Sequence, residues 1–283
     1  MESGMELSID TSYLADTGPV YRYLQKIREA GFTHVMWGHH WGDDFLYHPS
    51  EIEQLRLWLT ELGLKVYALH ASSGREKEWG AVEEYRRQAG LELVRNRIDL
   101  AAELSCRTIC IHHHAKLDPD QWNRHHEQIL KSLGELEPFA RRRGVRLAIE
   151  NYSEDDFVFI RRALNAFGPD YVGLCYDCGH GQNELHGLDH LETLLDRLIC
   201  VHLHDTTRRA DQPDYIDHIL PFTGAVDWDR LARLMARSPC GSCVNIEVIM
   251  PRCQGLTENE DAFLNACREA AIKFTQMIRS QIP

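Results

Sequence analysis

The stretch Cys200-Val201-His202-Leu203-His204-Asp205 decides the fold. In a strand, side chains alternate, so Cys200, His202 and His204 share one face and Val201 and Leu203 share the other. An apolar outer row beside a polar inner row that ends in a charge suits a strand whose tip faces a reaction site. Leu147-Ala148-Ile149-Glu150, Leu174-Cys175-Tyr176-Asp177 and Val244-Asn245-Ile246-Glu247 repeat the design. Each ends in a carboxylate that points away from the larger apolar residues.

Outward from these segments, strand and helix patterns alternate along the whole chain. Strands are predicted over 6–10, 33–37, 65–70, 108–112, 146–150, 171–177, 200–205 and 244–247. Helices are predicted over about 20–30, 50–62, 81–104, 119–143, 155–167, 188–198, 228–237 and 258–278, with a long irregular segment at 206–226. The helix over 50–62 opens on Ser50 as N-cap with Glu53 three residues later, a capping-box pattern, and stops at Gly63. No composition break divides the alternation, which predicts a single (β/α)8 TIM barrel over 1–283. The alternative, an open doubly wound sheet, lacks its Gly-rich phosphate loop here.

At 283 residues, with 43% hydrophobic and 26% charged residues, the chain has ample material for one core. A formal charge of −12 argues against a general nucleic-acid surface, which would need Lys and Arg against phosphates. The N-terminus lacks a basic and apolar secretory pattern, and no apolar run reaches the ~20 residues of a membrane span. These features predict a cytoplasmic protein without a membrane partner, and leave a homo-oligomer open. Nine cysteines form an odd set that includes C-x-x-C pairs at Cys175/Cys178 and Cys240/Cys243. A structural zinc site is one reading of them, and a core of reduced thiols is the simpler one.

Barrel active sites gather at the C-terminal ends of the strands. His70, His112, Glu150, Asp177, His202 and Glu247 each fall there, in the inward phase. A single buried histidine in a strand is ordinarily a satisfied core residue. Six ionisable strand ends in phase are not, because close carboxylates repel and buried charges need partners. A divalent metal held by Glu150, Asp177, His202 and Glu247 resolves the conflict. That oxygen-rich set with one imidazole suits Mn2+, Zn2+, Co2+ or Mg2+ without selecting among them. Trp37-Gly38-His39-His40-Trp41, at the end of the second strand, places two indoles and two imidazoles near the mouth, to stack on a sugar face, to line a lid or as a packed loop. Histidines 125 and 126 fall on a helix and are expected at the surface, and His113 is expected to be structural or exposed.

Ile149-Glu150-Asn151, Asp177-Cys178-Gly179-His180, Val201 to Asp205, Leu220 to Gly224 and Ile246-Glu247 together resemble the xylose isomerase-like TIM-barrel superfamily. Within it, the resemblance is to the sugar phosphate isomerase/epimerase group and to endonuclease IV. The resemblance implies Glu150, Asp177, His202 and Glu247 as metal ligands and His180 as a substrate-contacting histidine. It places Arg208 where ketose 3-epimerases hold a substrate-binding arginine; read on its own, Arg208 is a loop charge beside Arg209. Trp37, His70, His112 and His204 complete the expected substrate contacts.

The expected reaction is isomerisation or epimerisation of a sugar or sugar-like hydroxy-carbonyl compound. Glu150 and Glu247 would move the proton through an enediolate held at the metal. The endonuclease IV alternative adds zinc ions, with His70, His112, His180 and His218 as further ligands. That family's Asp-x-His pattern requires an aspartate where Ile216 stands, although Asp217 is adjacent. A metal-dependent dehydratase on the same scaffold, and a barrel that only binds a metal or ligand, are the remaining readings.

Overall fold

The alternating segments form one parallel sheet: β1 (Glu6–Asp10), β2 (His34–Trp37), β3 (Lys65–His70), β4 (Thr108–Ile111), β5 (Arg146–Glu150), β6 (Val172–Asp177), β7 (Leu198–His202) and β8 (Cys243–Ile246). The computed structural model describes residues 6–14, 19–113, 119–152, 156–209, 214–240 and 243–282, apart from the side chains of residues 119 and 120. The strands neighbour one another in the order β7-β6-β5-β4-β3-β2-β1-β8. The two ends of the sheet meet where Leu203 N donates to Asn245 O and Glu247 N donates to Leu203 O, both at 3.0 Å. The architecture is the (β/α)8 barrel that the alternation predicts.

Helices α1 (Val20–Glu29), α2 (Pro49–Leu62), α3 (Glu84–Glu103), α4 (Pro119–Arg143), α5 (Asp156–Ala166), α6 (Cys178–Asn183), α7 (Gly187–Glu192), α8 (Trp228–Arg237) and α9 (Glu260–Ser280) accompany the strands. The outer strand row that includes Ile149, Leu174, Val201, Leu203 and Ile246 is buried in the main apolar cluster. Its alternation with polar inner residues is therefore set by helix cover on one side and the barrel lumen on the other. Among the described residues, no helix is long and apolar enough to cross a membrane.

Two local expectations are corrected. The helix expected over 188–198 is instead α6, α7 and a short 3-10 turn at Leu195–Arg197, and β7 starts at Leu198. Asp177 ends β6 and at once caps α6, its Oδ1 accepting from the His180 amide at 2.7 Å. The Gly179 and Gly181 content of that turn gives it low helix propensity, which hid it. Helix α2 starts at Pro49 with His48, not Ser50, as its N-cap. The His48 amide donates to Glu51 Oε2 at 2.7 Å, and the Ser50 amide donates to His48 Nδ1 at 3.3 Å. Proline at the first helical position lacks only an N–H that would be unpaired there anyway, so it sets the start earlier.

All nine cysteines are free and buried. Among the described residues neither C-x-x-C pair forms a metal-holding cluster of its own, and Cys178 Sγ donates to the His204 carbonyl at 3.1 Å. The inward row below the strand tips is small: Met36, Ala68, Cys110, Ala148, Cys175 and Cys200 pack together. Gly38 leaves room above it, because a Cβ there would sit 2.4 Å from Asp10 Oδ1.

Asp205, the charge that ends the diagnostic stretch, is buried and structural. Its Oδ1 accepts from the amides of Thr206 (2.9 Å) and Val226 (3.1 Å), and Oδ2 accepts from Trp228 Nε1 (2.9 Å). One carboxylate thus clamps both ends of the loop between β7 and α8. Asp205→Ala leaves three buried donors unpaired and is expected to destabilise the fold by about 3 kcal/mol. For a chain of this size that is a fall in thermal midpoint of about 6–12 °C, measurable by calorimetry.

Candidate active site

The inward strand ends converge as the phase argument requires. Glu150, Asp177, His202 and Glu247 present ligand atoms that all lie within 4.8 Å of one another. Glu150 and Asp177 are the last residues of β5 and β6, His202 is the last of β7, and Glu247 follows β8. His202 Nδ1 lies 2.9 Å from Glu150 Oε1, 2.5 Å from Glu247 Oε2 and 3.9 Å from Asp177 Oδ2. One ring nitrogen carries at most one proton and cannot satisfy three carboxylates. Glu247 Oε2 is buried and has no hydrogen bond. A divalent cation fits this donor set, supplying the positive charge that the imidazole alone cannot share.

The electrostatics agree with that geometry. Burial pushes the Glu150 carboxyl up, and the His202 and His112 imidazoles overcome this to hold it well below the usual carboxylate range. Glu247 is likewise raised by burial and brought well below its ordinary value by His202 and His70. Burial lowers the His202 pKa, yet Glu150 and Glu247 carry it well above the usual imidazole value.

Each glutamate has a histidine companion. His112 Nε2 donates to Glu150 Oε2 at 2.7 Å, and His70 Nε2 stands 3.6 Å from both Glu247 Oε1 and Asp10 Oδ2. On the other side of the centre, the His218 amide donates to His204 Nδ1 at 2.9 Å. That leaves Nε2–H of His204 to donate to Asp177, 3.0 Å from Oδ2. His204 and His218 stack with centroids 3.9 Å apart, and His180 Nδ1 donates to the Asn151 carbonyl at 3.1 Å. The histidines expected as further metal ligands therefore divide into two flanking groups. His70 and His112 gather with Cys110 and Glu150, whereas His180 and His218 gather with His204.

A cavity of about 430 Å3 opens above these side chains. Asp10, Trp41, Tyr152, Asp217 and Arg252 line it together with His70, His112, His180, His218, Glu150 and Glu247. These residues make a polar floor that holds the Glu150 and Glu247 carboxylates and a wall with the rings of Trp41 and Tyr152.

Residues 24–269 match the family described as xylose isomerase-like TIM barrel. The chain belongs to this family. The uncharacterized protein y4fM of Sinorhizobium fredii is 30% identical over 284 aligned positions, covering 91% of this chain and 89% of that protein. Among solved structures, a D-psicose 3-epimerase crystallised in the presence of D-fructose superposes with a TM-score of 0.78 at 17% identity, covering 97% of this chain and 99% of that one. The IOLI protein with a binding zinc atom superposes with a TM-score of 0.74 at 14% identity, covering 96% and 98%. At these identities the solved structures speak for the fold.

Within this xylose isomerase-like barrel, some expected contacts are placed elsewhere. Trp37 has the outward phase: it is buried in the apolar cluster, and its Nε1 donates to Tyr47 Oη at 2.8 Å. Trp41, four residues on, lines the cavity in its place and packs edge-on to His112. His204 sits behind Asp177 and does not line the cavity. Arg208 does not line it either; its Nε donates to the Asn183 carbonyl at 3.2 Å, and its guanidinium lies over Tyr215. Arg252, paired with Asp217, is the arginine on the cavity wall.

His125 is buried rather than at the surface, its Nε2 donating to the His113 carbonyl at 2.9 Å, and His126 is partly buried. His113 is buried and structural: it lies 3.1 Å from Asp156, whose Oδ2 accepts from the Tyr152 amide at 2.8 Å. Asp156 thereby ties the segments that follow β4 and β5.

Asp10 and Tyr152 were legible by phase. Asp10 follows Ser8 at the tip of β1, and Tyr152 follows Glu150 by two residues. The Asp217–Arg252 pair joins two loops far apart in sequence, and no spacing announces it.

Proposed function

We propose that this chain is a divalent-metal-dependent sugar isomerase or epimerase, in which Glu150 and Glu247 transfer a proton at a carbon beside a carbonyl. The observation that carries this reading is His202 Nδ1 held among the carboxylates of Glu150, Glu247 and Asp177 at the floor of a cavity. The solved neighbours add weight, since the D-psicose enzyme is by its own name a 3-epimerase. A bound divalent ion would supply Lewis-acid charge at a substrate carbonyl and so acidify the neighbouring C–H.

Glu150 ends β5 and Glu247 follows β8, strands that are not neighbours in the sheet, and both residues border the cavity. One takes the proton and the other returns it, the arrangement that suits inversion at a carbon. Each carries its proton beside a histidine, His112 for Glu150 and His70 for Glu247, which gives each base a route to reset its protonation. His180, T-shaped against the Tyr152 ring at 4.8 Å, stands at the cavity edge to bind substrate hydroxyls. Trp41, 39% exposed, offers a ring to the apolar face of a sugar. Trp41→Ala is expected to raise KM about tenfold, a loss of ~1.4 kcal/mol of binding, with metal content unchanged.

The test is to restore the metal-stripped protein with Mn2+, Co2+, Zn2+ or Mg2+ and present free ketoses, keto-sugars and aldoses in D2O. One deuterium per turnover at an inverted or shifted carbon is the expected NMR result. A dehydrated keto product would replace this reading with a lyase, and cleavage of an abasic duplex would replace it with a nuclease. Absence of exchange across the substrate panel would leave a barrel that only binds. The flanking His70/His112 and His180/His218 groups favour the multi-zinc nuclease reading. Against it stands a wall whose arginine, Arg252, is already paired with Asp217, a poor surface for phosphodiesters.

A further inference from the structure

One row below the proposed metal centre, the barrel wall carries thiols where aliphatic side chains would ordinarily pack. Cys110 on β4, Cys175 on β6 and Cys200 on β7 are fully buried, unoxidised and turned inward. Cys175 and Cys200 are register partners on neighbouring strands. Cys110 Sγ donates to Glu150 Oε2 at 3.0 Å. Cys110, Glu150, Cys175 and His202 each present a ligand atom within 4.8 Å of the others.

The His202 ring supplies an independent observation. Its Nδ1 is engaged by the carboxylates above, whereas Nε2 is buried and has no hydrogen-bond partner. A buried imidazole nitrogen that the protein leaves without a hydrogen-bond partner, with thiols in the row beneath, is a site that a ligand can satisfy.

We infer that the barrel contains a second cation position one row below the first, in which Cys110 and Cys175 bind a thiophilic divalent ion of the zinc or cadmium kind, with Glu150 and His202 completing four donors. Two sulfurs, one nitrogen and one oxygen form the tetrahedral mixture that zinc accepts, whereas Mg2+ and Mn2+ favour oxygen. Binding forms two metal–sulfur bonds and bonds to Glu150 and His202; it releases the two thiol protons and the proton on the coordinating His202 nitrogen, with no change of oxidation state. Glu150 and His202 serve both positions, so an ion held below competes for the groups that organise the centre above. This site does not depend on the epimerase reading, because its donors exist whatever reaction occurs in the cavity.

The experiment is a Cd2+ titration of the metal-stripped, full-length protein, followed by thiolate-to-cadmium absorption in the ultraviolet. Within two equivalents, a band is expected that saturates at one thiolate-bound ion per chain. It is lost in Cys110→Ser and in Cys175→Ser and kept in Cys106→Ser and Cys267→Ser, whose thiols lie outside the cluster. No band within two equivalents, or a band untouched by both serine changes in the cluster, overturns the inference. Should either variant fail to fold, X-ray absorption on the zinc-loaded natural chain decides. A sulfur shell at ~2.3 Å supports the lower position, and a shell of nitrogen and oxygen alone at ~2.0–2.2 Å overturns it.

Discussion

Glu150→Gln and Glu247→Gln are each expected to lower turnover by about 10³-fold, roughly 4 kcal/mol of transition-state stabilisation, while the barrel stays folded. Both side chains reach the same His202 nitrogen, at 2.9 and 2.5 Å, so each change removes a carboxylate that is at once a ligand and the proposed base. The carboxamide keeps an oxygen donor but has no useful basicity, so metal content and proton transfer part company in these variants. The sharper expectation concerns solvent exchange. With one base disabled, the other still removes the proton from the epimer it faces and returns it to the same side. Glu150→Gln and Glu247→Gln should then each exchange deuterium into one epimer only, and into opposite ones, without net inversion. A variant with normal metal content and near-normal turnover would exclude that glutamate as a base. Loss of both exchange reactions together with loss of metal would assign the residue to ligation alone.

Chelation is expected to remove activity and lower the thermal midpoint by about 5–10 °C, both restored by a divalent ion. The size follows from linkage: an ion at 100 times its dissociation constant stabilises the native state by about 2.7 kcal/mol. For a barrel of this length that moves the midpoint by about 2–4 °C per kcal/mol. Asp177→Asn, which removes a carboxylate facing His202 at 3.9 Å, should shrink the shift.

The sign of the pH dependence is set by His202. Burial lowers its pKa, but Glu150 and Glu247 carry the metal-free ring well above its ordinary value, so the ring keeps its proton to higher pH than a free imidazole, in the place proposed for the ion. Metal binding must displace that proton. Apparent affinity therefore rises with pH until the pH passes the raised pKa, and binding releases protons. Calorimetry in buffers of different ionisation heat reads the release directly. Stability that is indifferent to chelators and to added metal would remove the metal from the account.

Histidine companions explain why the two glutamates stay ionised in a buried floor. Without His202 and His112, at 2.9 and 2.7 Å from Glu150, burial would favour a protonated, inert carboxyl. The sequence already placed both partners at strand tips in the inward phase, but their pairing is a matter of register. His70 pairs with Cys110 in the β3–β4 ladder, and Glu150 pairs with Cys175 in the β5–β6 ladder. That stagger brings side chains from different strands to one level.

The residues that depart from expectation share a physical cause. Trp37 was the expected substrate contact, but the strand's outward phase sends it into the shell beneath the helices and leaves Trp41 at the cavity. Arg208 matched a family position by its distance from His202 along the chain. The loop beyond β7, held by Asp205, carries its guanidinium to Asn183 instead. Histidine 125 looked like a surface residue because helix α4 is polar. Its burial comes from a carbonyl of the β4 loop that the helix packs against.

Periodicity alone determined the barrel, the inward phase of Glu150, Asp177, His202 and Glu247, and the oxygen-rich character of the centre. Those properties are local: a period of two settles a face, and strand order settles the end at which a tip emerges. Only the tertiary structure decided which loop residues reach the cavity, that Asp205 is a clamp and that Cys110 and Cys175 come together beneath Glu150. Contacts of that kind join strands and loops distant in the chain. They follow from barrel stagger and loop path, which no short-range pattern encodes.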